Sequence, residues 1–163
     1  MNPEKQMNLT MLCDYYELTM TNGYYACGMQ NRITYFDIFF RSVPDGGGFA
    51  IAAGLEQIID YIENLCFDEE DIAYFRSLNI FTEDFLAYLK DFKFSGDIYA
   101  FKEGTIMYPN EPVVTVVAPL IEAQLVETAI LAQINHQSLI ATKARRIVKA
   151  AAGRGVSDFG ARR

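Results

Sequence analysis

Val156-Ser157-Asp158-Phe159-Gly160-Ala161-Arg162-Arg163 is the stretch on which the reading of the fold turns. It reads as a short strand and gathers an aromatic ring, a glycine and two arginines. Phe159 offers a face for a flat ligand, and Gly160 lets a backbone come close. The two guanidinium forks match carboxylate or phosphate. Strand ends furnished in this way are where α/β barrels build their active sites. The chain is therefore expected to begin a barrel here, with residues 153–163 opening a second domain and residues 1–152 forming the first.

The residues before this run alternate between element types. Leu120 to Ala152 reads as one long helix with apolar positions Leu125, Ile130, Ile134, Leu139 and Ile147, ended by Gly153 and Gly155. Pro119 suits its first turn. Val113–Val117 and Gly96–Phe101 read as strands, separated by a turn-rich connection from Glu103 to Pro112. Two short helices precede them, one capped by Asp68 and the other by Thr82, each with acids in the first turn. Phe49–Gly54 leads into a helix over Leu55–Leu65. Val43 to Gly48 is a flexible turn, and its triple glycine leads into no GxxxxGK pattern. Thr34–Phe40 is aromatic and β-branched and reads as a strand with Arg41 at its end. Leu9–Cys27 reads as a helix stopped by Gly28.

Composition limits what such a chain can do. It has 163 residues, 51% of them hydrophobic and 21% charged, enough for one or two small domains with a real core. A net charge of −7 argues against a general nucleic-acid binder, which needs a basic face. No apolar run approaches the ~18 residues of a membrane span, and no signal peptide is expected from the polar opening residues. Cys13, Cys27 and Cys66 are scattered without metal-ligand spacing. Reduced thiols in a cytoplasmic protein are the expectation.

Several blocks carry a resemblance. Cys13-Asp14-Tyr15-Tyr16-Glu17-Leu18-Thr19-Met20 resembles the Asp-x-Tyr-x-Leu-Thr-Met signature of nicotinate phosphoribosyltransferases. The resemblance continues through Phe36–Arg41, Phe49–Glu56, Glu111-Pro112, Pro119–Thr128, Asn135–Ala144 and Asp158–Arg163. Separate blocks in the right order are far more specific than one short motif.

The resemblance implies the α/β class: an α+β N-terminal domain, the long connecting helix and the first strand of an incomplete type II phosphoribosyltransferase barrel. It implies formation of nicotinate mononucleotide and pyrophosphate from nicotinate and phosphoribosyl pyrophosphate, with ATP hydrolysis coupled through a phosphorylatable histidine. The later phosphate loops and that histidine's segment have no counterpart in these residues. The resemblance therefore implies the N-terminal part of a longer enzyme, inactive alone. Mg²⁺ is implied with phosphoribosyl pyrophosphate and ATP, with no ligands identified in this chain. A homodimer is implied, and neither nucleic acid nor membrane is expected as a partner. A non-catalytic dimerising module, or a nicotinamide or quinolinate phosphoribosyltransferase, are the alternatives.

Residue by residue, Tyr16 matches a tyrosine that stacks on the pyridine ring, reaching in from the partner subunit, and Phe159 matches the aromatic on the opposite face. Arg162 matches a substrate-binding arginine, with Arg163 beside it. Arg41 resembles a phosphate-binding arginine, and Lys143 and Arg146 share a helix face that could meet pyrophosphate. Each has an ordinary alternative: a core tyrosine, a barrel-core phenylalanine, a solvated chain end, an exposed strand end, a solvated basic face. His136, the single histidine, is expected to be a hydrogen-bonded structural residue on a buried helix. Asp14 is expected either to approach the ribose or to serve the helix dipole.

Overall fold

The computed structural model describes residues 8–160. Valines dominate the strand at its centre. β5 (Pro112–Pro119) runs Pro-Val-Val-Thr-Val-Val-Ala-Pro and lies between β1 (Ile33–Phe39) and β3 (Asp97–Ala100), antiparallel to both. The register places Phe36 opposite Val116 and Ile98, and Ile38 opposite Val114 and Ala100. Alternation sends these residues to one face. The other face carries Tyr35, Val117 and Asp97 in one row and Asp37, Thr115 and Tyr99 in the next. A second, two-stranded antiparallel sheet joins β2 (Ala50–Ile51) to β4 (Ile106–Met107). β4 lies inside the segment read as a turn-rich connection, and at two residues it is too short to leave a periodic signature.

Helix α1 (Tyr15–Ala26) begins later than the expected Leu9, because Leu9–Leu12 closes its own turn, with Leu12 N–H donating to Leu9 C=O at 2.8 Å. Its end is as read. Gly28, at φ +66°, lets Met29 N–H reach Tyr24 C=O and Gly28 N–H reach Tyr25 C=O, satisfying the last carbonyls. Asp68 and Thr82 cap α3 (Glu69–Ser77) and α4 (Glu83–Lys90) as expected. Phe75 and Phe85 from these helices are fully buried in an aromatic cluster with Phe67, Phe81 and Phe92. Helix α2 (Leu55–Glu63) has glycine at its cap, and the Glu103 carboxylate supplies the missing acceptor, at 2.8 Å from Gly54 N and 2.7 Å from Leu55 N.

The long helix is broken. Helix α5 (Leu120–Leu125) ends at Val126, with φ −98° and ψ −5°, and α6 (Glu127–Ala151) starts afresh. Helix α5 is buried from Ile121 through Leu125, packed between the sheet and α1. Its polar members are all satisfied: Glu122 accepts from Ser95 N and Oγ, and Gln124 donates to Glu127. A straight continuation of α5 would follow one axis; the bend at Val126 lets α6 lie along β2 instead. There Ser138 and Thr142, one turn apart, accept from Ala53 N and Ile51 N, so two hydroxyls do the work of a neighbouring strand.

After Ala152 and Gly153, both at positive φ, residues 156–160 carry no strand pairing. The expected strand is thus not observed among the described residues, since a strand exists only through ladder bonds to a neighbour and none lies beside it. Arg162 and Arg163 fall outside the described residues.

Candidate functional site

A groove runs between the second half of β1 and the first two turns of α6. It consists of two adjoining recesses of about 710 and 440 Å³ that share Asp37, Ile38, Glu127 and Leu131. Tyr16 and Met20 of α1 wall the smaller recess, and Arg41 and Asn135 lie in the larger. Asp14, Asp37 and Glu127 line the groove as well, so its acidic groups face one arginine.

Tyr16 is 43% exposed, yet its hydroxyl is pinned. It donates to Glu127 Oε1 at 2.9 Å, and Gln124 Nε2 donates to the other oxygen of that carboxylate at 2.6 Å. Burial, then the Glu127 hydrogen bond and charge, push the Tyr16 phenol up. The aromatic face is therefore presented to the groove with its far end fixed. Behind it Glu17 is fully buried. Its Oε1 accepts from Thr128 N at 3.0 Å and Thr128 Oγ1 at 2.5 Å, while Oε2 has no partner. Burial pushes Glu17 up to about 7, the Thr128 bonds pull it back, and Glu127 and Asp14 push it further up. Val126 cannot cap α6 with its side chain, and the Glu17 carboxylate takes one of the orphan donors in its place.

Of the residues expected from the sequence, Tyr16, Arg41 and Asp14 are brought to this one groove. Lys143 is exposed on α6 and lines neither recess. Arg146 is exposed too, but lies over the glycine loop: its Nη1 is 3.4 Å from Asp45, and a Cβ on Gly47 would collide with its Nη2. That loop turns at Pro44–Gly46, where Asp45 and Gly46 both take positive φ. Phe159 is 94% exposed. His136 is exposed and makes no side-chain hydrogen bond among the described residues, contrary to the expected buried role, because the buried stripe of α6 runs through Ile134, Ser138 and Thr142. Asp14 sits at the cap of α1 without capping it. Among the described residues no cluster of three His, Cys, Asp or Glu side chains could hold a metal ion.

Tyr16 and Phe159 lie towards opposite ends of α6. Tyr16 is bonded to its first residue, and 25 residues span about 37 Å. The chain turns until Arg154, held by its N–H on Ala151 C=O. The residues from 155 to 159 could retrace at most about 17 Å. Phe159 lines neither recess of the groove that Tyr16 walls. Sequence reasoning missed Glu17, Asp37, Glu127 and Thr128. Glu17 and Glu127 lie inside the blocks quoted above, but nothing local marks partners 111 positions apart.

The mixed helix-and-sheet domain with this groove is an N-terminal domain of a pyridine phosphoribosyltransferase type: it superposes on the crystal structure of human nicotinic acid phosphoribosyltransferase with TM-score 0.81 and 31% identity, covering 89% of this chain and 29% of that one. The chain belongs to the nicotinate phosphoribosyltransferase family, whose N-terminal domain model (NAPRTase) matches residues 11–135. It is 48% identical over 153 residues to nicotinate phosphoribosyltransferase pncB2 of Mycobacterium tuberculosis, covering 94% of this chain and 33% of that protein. It is 41% identical over 159 residues to the nicotinate phosphoribosyltransferase of Bacillus subtilis, covering 98% and 32%. The chain thus spans about a third of the length of these relatives. No helix among the described residues is long and apolar enough to cross a membrane.

Proposed function

We propose that this chain acts as the N-terminal third of a nicotinate phosphoribosyltransferase. The observation that carries the reading is the 48% identity to such an enzyme over 94% of the chain. In this reading the ring nitrogen of nicotinate attacks the anomeric carbon of phosphoribosyl pyrophosphate, the C–O bond to pyrophosphate breaks, and nicotinate mononucleotide forms. ATP hydrolysis drives the reaction from the portion that this chain does not span. Residues 153–163 begin the barrel that completes the site. Catalysis is then mostly positioning and charge management.

Tyr16 supplies one wall of the pyridine slot, and Phe159 of a second subunit supplies the other. The exposure of Phe159 supports this division, since within one chain it lines neither recess beside Tyr16. A homodimer is the simplest assembly that satisfies it. Arg162, with Arg163 beside it, holds an anion, and Arg41 in the groove is placed to meet a second. Lys143 and Arg146 are more distant candidates for pyrophosphate, with Arg146 engaged by Asp45. Mg²⁺ would arrive with the phosphorylated substrates; among the described residues no cluster of three His, Cys, Asp or Glu side chains offers it a site of its own, and no step is assigned to it.

The test is made in the complete enzyme. Tyr16→Ala is expected to raise KM for nicotinate far more than KM for phosphoribosyl pyrophosphate. Mixing Tyr16→Ala with Arg162→Ala protein is expected to restore part of the activity, because one of the two sites in a mixed dimer is intact. Equal effects on both substrates, and no recovery on mixing, would overturn the assignment.

A further inference from the structure

Two adjacent residues of α1 bond to two adjacent residues at the start of α6. Tyr16 donates to Glu127, and Thr128 donates to Glu17 from both its backbone and its hydroxyl. The inner bond cannot slide. Glu17 is fully buried and caps a helix end that has no cap of its own, so a shifted α1 would bury an unpaired N–H and an unpaired carboxylate together. The outer bond acts on a side chain with two free torsions. An exposed tyrosine held only at its Cα samples several rotamers; one held at both ends keeps a single ring plane. Glu127 is itself immobilised, because Gln124, buried in α5, holds its second oxygen.

We propose that Glu127 is a positioning residue for Tyr16, with Glu17 locking α1 to the first turn of α6 behind it. The inference rests on the reading of Tyr16 as a wall of the pyridine slot. Its consequence is a wall set before substrate arrives, so that binding does not have to order the ring. Glu127 touches no reacting atom in this scheme. It acts through one hydroxyl, and that dictates how its loss must look.

The experiment is a double-mutant cycle in the complete enzyme between Tyr16→Phe, which deletes the hydroxyl and keeps the ring, and Glu127→Ala. Each is expected to raise KM for nicotinate about three- to tenfold, the weight of one hydrogen bond, with little change in kcat or in KM for phosphoribosyl pyrophosphate. The double variant should be no worse than either single one, and Glu127→Gln, still an acceptor, should recover most of the loss. NMR of ¹³C-labelled tyrosine should show the Tyr16 phenol titrating lower in Glu127→Ala than in wild type. Multiplying effects in the double variant, or unchanged nicotinate KM in Tyr16→Phe or Glu127→Ala, overturns the positioning role. Tyr16→Ala separates the two failures: if it raises KM while Glu127→Ala does not, only the positioning falls. If Tyr16→Ala is silent as well, the slot assignment falls with it. Should Glu127→Ala not fold, Tyr16→Phe breaks the same bond from the exposed side and decides alone.

Discussion

Replacing Glu17 by glutamine should make the protein more stable at pH 8 and leave it nearly unchanged at pH 5. The carboxyl is fully buried, with one oxygen serving Thr128 and the other serving nothing. Burial moves it from an ordinary 4.5 to about 7. The folded protein therefore binds this proton more tightly than the unfolded chain does. Between pH 4.5 and 7 the folded state carries more bound protons, so stability falls as pH rises through that window and levels off above it. A shift of about 2.5 pH units corresponds to about 3 kcal/mol of ionisation cost above pH 7. The amide of Glu17→Gln never ionises and still offers an oxygen to Thr128. The charge assistance it gives up in those two bonds is already contained in the net shift to about 7. The net expectation is a gain of about 3 kcal/mol at pH 8. Urea unfolding followed by circular dichroism at pH 5, 6, 7 and 8 measures it for both proteins. Parallel curves across that range, or a Glu17→Gln variant weaker than wild type at pH 8, would refute the reasoning. Carboxyl ¹³C NMR gives a direct check, since the Glu17 resonance should titrate near pH 7.

The cysteines should separate by reactivity: Cys13, whose thiol burial and the charges of Glu17, Asp14 and Asp71 push up to about 12, should resist iodoacetamide at pH 8, while exposed Cys27 and Cys66 should be modified. Mass spectrometry should show two adducts on the folded protein and three after denaturation; three at once on the folded protein would contradict the burial of Cys13. Gly96→Ala should destabilise by about 1–3 kcal/mol, because its Cβ would collide with Ala118 Cβ and fall 2.7 Å from Val117 O on the central strand. Gly23→Ala in α1, where a Cβ meets nothing within 4 Å, should instead stabilise by about 0.5–1 kcal/mol, and urea midpoints of the two variants should move in opposite directions.

What the sequence made legible is what each segment decides for itself. The valines of β5, the Asp68 and Thr82 caps and the Gly28 stop needed no distant partner, and each stands where it was read. The aromatic character of Thr34–Phe40 placed β1 to within a residue. In the groove, Tyr16 and Arg41 were legible through the blocks that resemble the family. Glu17 and Glu127 were inside the same blocks, but their meaning lies in bonds spanning 111 positions. A buried, uncapped helix start looks like any other Val-Glu-Thr until the carboxylate that caps it is in place. The same reasoning explains the long helix. Leu120–Ala152 has an unbroken helical pattern, and propensity alone gives no reason to stop at Val126. The interruption is fixed by tertiary demands: α5 must lie buried between the sheet and α1, and α6 must lay Ser138 and Thr142 along β2. Glu17 then compensates the helix end that the interruption exposes. The residue that sequence reasoning passed over is thus the one that makes the unforeseen break tolerable, and the break sets the first turn of α6 beside Tyr16.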